Sequence, residues 1–409
     1  MKNLLAKLDA FVRKPFFSDY RTLFGLWLLI PLIAGIVKTK CNNFIIYRYV
    51  FWHAIERVSL YAEYPDQYYD VNHYGPLFSL IIAPFAVLPV RLGVVLWGVA
   101  MALTLYWAIR SLAVDRSKHA FICWFCAHEL LTALFMNQFN VVIATVIIGA
   151  FCLIRKEKDV WATLLIVMGT LVKIYGVVGL AFFFFSKHKK RFILSLIGWS
   201  VVLFAAPMLF TSPEYVVGQY YEWLTGLVVK NQENLFAFHQ NISLLGMVRK
   251  ISGSVAYSDL WLIVPGLMLF FVPYLRFGQY RYEGFRHALL ASVLLFVVLF
   301  STGSESSGYI IALLGVAIWY VTAPWKRSGW DVALMIFAFI LTSMSPSDLF
   351  PRVLRVSLVQ PYALKALPCA IIWLKLCWEM ATRDYRPLED RTAAVTRGCM
   401  SEVGAASVA

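Results

Sequence analysis

Long apolar stretches alternate with short polar segments along almost the whole chain. A bilayer span needs roughly 20 apolar residues, or fewer where the helix is partly buried in protein. The apolar stretches cover residues 22–38, 92–112, 119–136, 140–154, 160–185, 192–210, 259–275, 287–302, 308–323, 330–344 and 361–380. This pattern predicts an all-α polytopic membrane protein with about twelve transmembrane helices, in which residues 1–380 form one integral membrane domain.

The stretch 160–185 allows two interpretations, because Lys173 and Gly176 interrupt it and basic residues flank both of its ends. It is either one tilted span or two short helices that return to the same side. Lys and Arg concentrate in cytoplasmic loops. A hairpin places more of the downstream Lys and Arg on the cytoplasmic side than a single span does, so we predict the hairpin. Both termini are then cytoplasmic.

Composition supports the membrane interpretation. The chain is 60% hydrophobic and 15% charged, whereas soluble proteins are roughly 45–50% apolar and about 25% charged. This excludes an ordinary soluble enzyme and a disordered chain. The net charge of the chain is +14. An excess of Lys and Arg is typical of the cytoplasmic loops of multi-pass membrane proteins, so we predict a protein of the plasma or inner membrane with no nucleic-acid partner. The seven scattered cysteines predict no disulfide framework.

The predicted topology leaves three long outer segments, at residues 39–91, 211–258 and 345–360. The first contains its own apolar stretch at residues 77–90, which is too short to span a bilayer. We therefore predict that the long first outer loop carries interfacial or re-entrant helices. Residues 381–409 contain few large apolar side chains and are predicted to form a flexible cytoplasmic tail.

Unusual polar residues collect in these outer segments and at the outer ends of the predicted helices. A carboxylate beside an acceptor hydroxyl can act as a general base. The cations Lys173, Arg352 and Arg355 can hold a lipid phosphate. The pattern therefore predicts transfer of a group from a lipid phosphate carrier to an acceptor outside the cytoplasm.

Each polar cluster also has a purely structural interpretation. The segment 137–140 can cap the following helix, Glu305 can cap the helix near residue 308, and Asp348 can cap a surface helix at 349–359. Lys173 can snorkel to the membrane boundary. The sequence has no phosphate loop, no H-E-x-x-H and no G-x-S-x-G, which argues against an ATP-driven pump, a metalloprotease or a serine hydrolase. We expect neither a metal nor a cofactor.

The order of these motifs resembles glycosyltransferase family 87, polytopic enzymes of the GT-C fold. The resemblance extends from about residue 20 to residue 380. It rests on the segments 42–47 (NNFIIY), 74–78 (YGPLF), 137–140 (NQFN), 171–176 (LVKIYG) and 241–244 (NISL). It implies inverting transfer of a sugar, often the hexose mannose, from a polyprenyl-phosphate carrier to a glycolipid or glycan acceptor.

The resemblance also implies a catalytic Asp in the first outer loop. Family members often place it directly after the first helix, where this chain has Asn42 and Asn43. An amide cannot act as a base at neutral pH. We therefore predict Asp70 as the base, with Asp66 and Glu305 as second choices. The predicted substrate-binding residues are Asn43, Tyr47, His73, Tyr74, Asn137, Gln138, Asn140, Lys173, Tyr175, His239, Gln240, Asn241, Ser243, Ser306, Arg352 and Arg355.

Two other functions remain open at the level of sequence. A transporter or flippase for a lipid-linked sugar is favoured by the interrupted stretch at Lys173. Transporters usually contain repeated halves and polar sites near the bilayer midplane, whereas most polar residues here lie at one face. A non-catalytic relative that binds such lipids is favoured by the amides Asn42 and Asn43.

Overall fold

The computed structural model describes residues 14–38, 41–254 and 256–387, and all regular structure within them is helical. The main helices are α1 (Tyr20–Val37), α2 (Asn42–Glu56), α3 (Phe78–Ala86), α4 (Val90–Arg110), α5 (Arg116–Phe135), α6 (Asn140–Arg155), α7 (Asp159–Val172), α8 (Lys189–Ala205), α9 (Pro213–Asn234), α10 (Leu244–Ser252), α11 (Leu260–Phe271), α12 (Glu283–Leu299), α13 (Tyr309–Thr322), α14 (Gly329–Phe337) and α15 (Leu367–Thr382). A 3-10 helix, Ile174–Phe185, follows α7, and a π-helix, Ala338–Met344, continues α14. Short helical turns occupy Arg352–Leu354 and Arg355–Val359.

Each predicted apolar stretch overlaps one of these helices, which confirms the all-helical prediction. Within the described part of the chain, three helical segments are long and apolar enough to cross a bilayer: Tyr20–Val37, Val90–Arg110 and Lys189–Leu209. The bent pair Arg352–Val359 and Leu364–Thr382 makes a fourth if it counts as one span. The other apolar helices have 10–17 residues. The chain is a helical membrane protein, and the count of about twelve spans stays a prediction.

Helix α7 packs on the 3-10 helix that follows it as the predicted hairpin requires, and the membrane side to which the pair returns stays a prediction. Gly176 lies against Gly169, and Gly179 lies against Ile166, so the two segments run antiparallel. A Cβ atom at Gly176 would overlap the backbone of Gly169, and this close approach therefore requires glycine. The turn of the hairpin is at Lys173, where the backbone is extended.

The first outer segment contains two helices. Helix α3 lies within the predicted stretch 77–90, and its Phe78 and Ile82 are fully buried. Helix α2 does not belong to a long apolar stretch, because Arg48 and His53 interrupt it. The second outer segment contains α9 and α10. Their placement at a membrane interface stays a prediction, as does the flexible tail, of which residues 388–409 lie outside the described part of the chain.

Helices α6, α12 and α13 form the core, and most of their side chains are buried. Helices α12 and α13 pack along their length, and α6 packs beside both. Because α6 begins at Asn140, α12 ends at Leu299 and α13 begins at Tyr309, the segments 137–140 and 300–308 meet at one end of this core. Lys173 reaches the same end, because α7 runs back along α6.

The structural caps considered for the polar clusters are not formed in these described segments. The residue before α6 is Phe139, and no side chain caps the helix. Glu305 precedes the turn Ser306–Gly308 without a side-chain hydrogen bond to it. Asp348 accepts from Arg355 at 3.4 Å instead of capping a helix at 349–359. The capping interpretations are therefore wrong for all three.

Candidate functional site

The first outer loop docks onto the turn of the hairpin through its backbone. The Gly75 N–H donates to the Val172 carbonyl oxygen at 2.9 Å. A Cβ atom at Gly75 would overlap the carbonyl oxygen of Leu171, so only glycine fits here. The Trp223 indole N–H donates to the His73 carbonyl oxygen at 2.9 Å and holds the same strip of chain from α9. These contacts place Tyr74 beside the hairpin turn.

Lys173 lies at the centre of the polar cluster. Its Nζ donates to Asn140 Oδ1 at 2.7 Å and lies 5.0 Å and 5.8 Å from the ring centroids of Tyr175 and Tyr74. Both rings are within range of a cation–π interaction. Lys173 is half-buried, and these contacts hold its ammonium group within the polar cluster. The position of this group relative to the membrane boundary stays a prediction.

Two amides connect Lys173 to the carboxylate of Glu305. Asn140 Nδ2 donates to Gln138 Oε1 at 2.9 Å, and Gln138 Nε2 donates to Glu305 Oε2. Asn140 and Gln138 are buried, whereas Glu305 is half-buried. The hydroxyl oxygens of Tyr47 and Tyr74 lie 3.0 Å apart in the same cluster. The sequence-predicted residues that this cluster brings together are Tyr47, Tyr74, Gln138, Asn140, Lys173, Tyr175 and Glu305.

The segment 301–307, which carries Glu305, is held by several other elements. Ser301 Oγ is 2.5 Å from Tyr175 OH, and the Ser304 carbonyl oxygen accepts from the Ile242 N–H at 2.8 Å. Ser307 Oγ accepts from the Asn140 amide at 3.4 Å. Because the backbone is fixed on both sides of Glu305, its carboxylate occupies a defined position.

A cavity of about 550 Å³ lies next to Glu305. Small-molecule sites typically occupy about 300–1,000 Å³. Its wall combines apolar side chains of α5 with polar side chains from four later segments. The polar lining includes His128, His239, Gln240, Glu305, Ser306, Asp348, Arg355 and Lys365.

Lys365 is a site residue that sequence analysis missed. Its Nζ donates to Glu129 Oε1 at 2.8 Å, to the Ser306 carbonyl oxygen at 2.8 Å and to Ser306 Oγ at 3.0 Å. An ammonium group has three N–H donors, so these contacts use all of them. Lys365 and Glu129 are 3% and 0% exposed, and each interrupts a predicted apolar stretch. That interruption was the available signal, because ionisable residues within spans are rare and usually functional.

The three predicted phosphate-binding cations have different surroundings. Arg355 lines the cavity and donates to the Pro346 and Ser347 carbonyl oxygens at 3.2 Å and 3.0 Å. Lys173 lies behind Gln138 and Asn140, and Arg352 is exposed and outside the cavity lining. Of these three cations, Arg355 is the one that lines the cavity, where it also pairs with the exposed carboxylate of Asp348 at 3.4 Å.

The three predicted carboxylates also differ in position. Asp70 is exposed, has a positive φ of 75° and accepts from the Val71 N–H at 2.9 Å. Asp66 is exposed as well, and neither residue is part of the cavity lining. Glu305 is the one of the three that lines the cavity.

Several predicted substrate-binding amides are engaged in scaffolding contacts. Asn43 Nδ2 donates to the Met136 carbonyl oxygen at 2.7 Å, and Asn137 Nδ2 lies 2.9 Å from Cys41 Sγ. The neighbouring Asn42 makes two hydrogen bonds with the backbone of Tyr69. Its Nδ2 donates to the Tyr69 carbonyl oxygen at 2.5 Å, and its Oδ1 accepts from the Tyr69 N–H at 2.9 Å. A carboxylate at position 42 could accept but not donate, which gives a structural reason for the amide.

Asn241 and Ser243 stabilise the start of α10. Ser243 Oγ donates to Asn241 Oδ1 at 2.8 Å and accepts from the Gly246 N–H at 3.0 Å. Both residues are 0% exposed. Their polar atoms therefore serve as a helix cap, and they reach the site only through their neighbour Ile242.

His73 Nε2 lies 3.8 Å from the carboxylate of the exposed Asp70. Burial and, to a smaller extent, the Lys230 ammonium group lower the pKa of His73, and the Asp70 carboxylate opposes them. The resulting pKa is about 4. An unfolded His binds a proton below about pH 6.5, whereas folded His73 stays neutral until about pH 4. Stability should therefore fall as the pH decreases through this window.

We expect the melting temperature of the wild type to fall between about pH 6.5 and pH 4 more steeply than that of His73→Asn, which has no titrating ring. Thermal unfolding in detergent at a series of pH values measures the difference. Parallel pH profiles for the two proteins would contradict the assignment of a neutral, half-buried His73.

The model of glycosyltransferase family 87 matches residues 72–302, which is more than half of the chain. Among solved structures, one similar chain is ArnT from Cupriavidus metallidurans bound to undecaprenyl phosphate. The two chains are 14% identical, the match covers 89% of this chain and 78% of that chain, and the TM-score is 0.38. A search of curated proteins finds no match.

Proposed function

The chain belongs to glycosyltransferase family 87, and from this membership we propose that it moves a sugar from a polyprenyl-phosphate carrier to a glycolipid or glycan acceptor. The sugar is a hexose, mannose-like, or a pentose, and the reaction inverts the configuration of the anomeric carbon. We propose a GT-C architecture with both termini cytoplasmic and the active site facing outward.

The observation that carries this proposal is that Glu305 and Arg355 line the same cavity. A carboxylate can take the proton of an acceptor hydroxyl. A guanidinium group matches the geometry of a phosphate and can bind it through two hydrogen bonds. One cavity thus holds the two kinds of side chain that transfer from a sugar phosphate requires.

The proposed reaction follows from these two groups. Glu305 accepts the proton of the acceptor hydroxyl while the hydroxyl oxygen attacks the anomeric carbon. The bond from that carbon to the phosphate oxygen breaks on the opposite face, and the electron pair leaves with the phosphate. Because the polyprenyl phosphate released is a stable anion, its departure requires no general acid. Arg355 stabilises the charge that develops on it.

Asp70 stays the rival assignment for the base, as the sequence predicts. Its exposed carboxylate lies 3.8 Å from His73 Nε2. The first loop would have to move for Asp70 to reach the cavity, whereas Glu305 already lines it. We therefore propose Glu305 as the base.

The direct test uses the purified full chain in liposomes with labelled polyprenyl-phosphate mannose and a glycolipid extract as acceptor. We expect time-dependent release of polyprenyl phosphate with appearance of label in the glycolipid fraction. The matching pentose donor, polyprenyl-phosphate arabinose, is tested in parallel. Failure to consume either donor would overturn the proposal.

A transporter is the second candidate, because the helix break at Lys173 is a feature of transporter sites. The same liposomes distinguish it. Movement of the labelled lipid between the leaflets without cleavage of the sugar–phosphate bond would support transport and contradict transfer.

A further inference from the structure

The hydrogen bonds between Lys173 and Glu305 all run in one direction. The Lys173 ammonium donates to the Asn140 carbonyl group, the Asn140 NH₂ donates to the Gln138 carbonyl group, and the Gln138 NH₂ donates to the Glu305 carboxylate. Each amide therefore points its oxygen towards the cation and its nitrogen towards the anion. We call this series the amide bridge.

The charges at its two ends fix the orientation of both amides. Turning Gln138 over would place its carbonyl oxygen against the Glu305 carboxylate and its NH₂ against the NH₂ of Asn140. Turning Asn140 over would place its NH₂ against the Lys173 ammonium group. Hydrogen bonds to charged groups are roughly twice as strong as neutral ones, and bonds in series polarise one another. The amide bridge therefore has a single favourable arrangement.

Burial makes that arrangement costly to break. Gln138 is 8% exposed and Asn140 is 2% exposed. A buried amide that loses its partner retains the full cost of its desolvation. The amide nitrogen and oxygen of Gln138 are both engaged within the amide bridge, and neither Gln138 nor Asn140 is part of the cavity lining.

We propose that Gln138 and Asn140 are positioning residues, which hold the Glu305 carboxylate on the cavity wall and couple it to the charge of Lys173. This positioning role replaces the direct contact with substrate that the sequence predicts for both residues. No proton passes along the amides, and no bond is broken in them. The proposal rests on the proposed function only where it treats Glu305 as the base.

The first test needs no activity and measures the coupling itself. Lys173→Met, Glu305→Gln and the double variant are compared with wild type by thermal unfolding in detergent, and the cycle is repeated in a Gln138→Met background. In the wild-type background, we expect the change in melting temperature of the double variant to differ from the sum of the two single changes by about 2 °C or more. In the Gln138→Met background, we expect the single changes to add. Equal coupling in both backgrounds would show a through-space interaction and overturn the proposal. Lys173→Gln replaces Lys173→Met if the latter does not fold.

Gln279→Met is the matched control. The Gln279 amide also makes two hydrogen bonds, to Asp384 at 3.1 Å and to the Tyr385 N–H at 2.8 Å, but it contacts neither end of the amide bridge. We expect it to lower the melting temperature without changing the coupling between positions 173 and 305. Loss of coupling in Gln279→Met as well would attribute the effect to general destabilisation and contradict the proposal.

The second test uses donor consumption. A displaced catalytic group can cost about 100-fold in rate, so we expect kcat to fall by about this factor in Gln138→Met while KM for polyprenyl-phosphate mannose stays unchanged. A rise in KM with kcat unchanged would assign Gln138 to substrate binding and overturn the proposal. If wild type consumes no donor, the proposed function fails, and the thermal cycle still decides whether the amide bridge couples its ends.

Discussion

Glu305→Gln is expected to lower the rate of sugar transfer by at least about 100-fold while leaving the protein folded. A positioned general base contributes typically about 10²–10⁴-fold to a rate. The substitution preserves the shape of the side chain and an oxygen that can accept from Gln138, but an amide cannot take the acceptor proton. The measurement is release of polyprenyl phosphate from the labelled donor, at equal protein concentration and with melting temperatures recorded for both proteins.

Two further variants give this result its meaning. Glu63→Gln makes the same chemical change on an exposed side chain of the first loop and should retain the wild-type rate. Asp70→Asn tests the rival base. Wild-type activity in Glu305→Gln together with loss of activity in Asp70→Asn would transfer the role of base to the first loop.

Lys365→Met is expected to destabilise the protein by about 3–5 kcal/mol, the usual cost of leaving one partner of a buried ion pair without the other. The Glu129 carboxylate would then lie fully buried without its cation, and the Ser306 carbonyl oxygen would lose a donor. Thermal unfolding in detergent should show a large decrease in melting temperature.

The double variant Glu129→Leu/Lys365→Met is the matched control, because it removes the buried charge along with its partner. Replacing both members of a buried pair by apolar residues is often neutral or stabilising. We therefore expect the double variant to recover most of the lost stability. Equal destabilisation of the single and double variants would mean that Lys365 acts mainly through Ser306 and not through Glu129.

Much of the fold could be predicted from local patterns. A helix that contacts lipid or a buried core must be apolar over most of its length, so the apolar stretches locate the helices. The distribution of Lys and Arg predicts the hairpin at Lys173 without reference to packing. Helix α2 was not predicted as an element, because Arg48 and His53 interrupt its apolar pattern and its partners lie elsewhere in the chain.

The site was harder to predict because its contacts join distant parts of the chain. The separate polar motifs containing Lys173, Asn140 and Glu305 were identified, and the structure brings them together. The Lys365–Glu129 pair was not, since each residue looks like a single charge within an apolar stretch and their partnership spans 236 positions. Residue type also cannot distinguish Asn241, which supports a helix cap, from Asn140, which bonds to the site lysine.

Residues from several distant parts of the chain contact the segment 301–307, and this affects the order in which the site forms during synthesis. Helix α1 through the hairpin can be made and packed early, yet the carboxylate of Glu305 reaches the amide bridge only once α12 has been inserted. Ser306 acquires its cation later still, when Lys365 leaves the ribosome. Since chains begin to fold from the N-terminal side during synthesis, the protein completes its cavity only after Lys365 has been made. A chain interrupted before residue 365 thus has most of the membrane domain but an unfinished site.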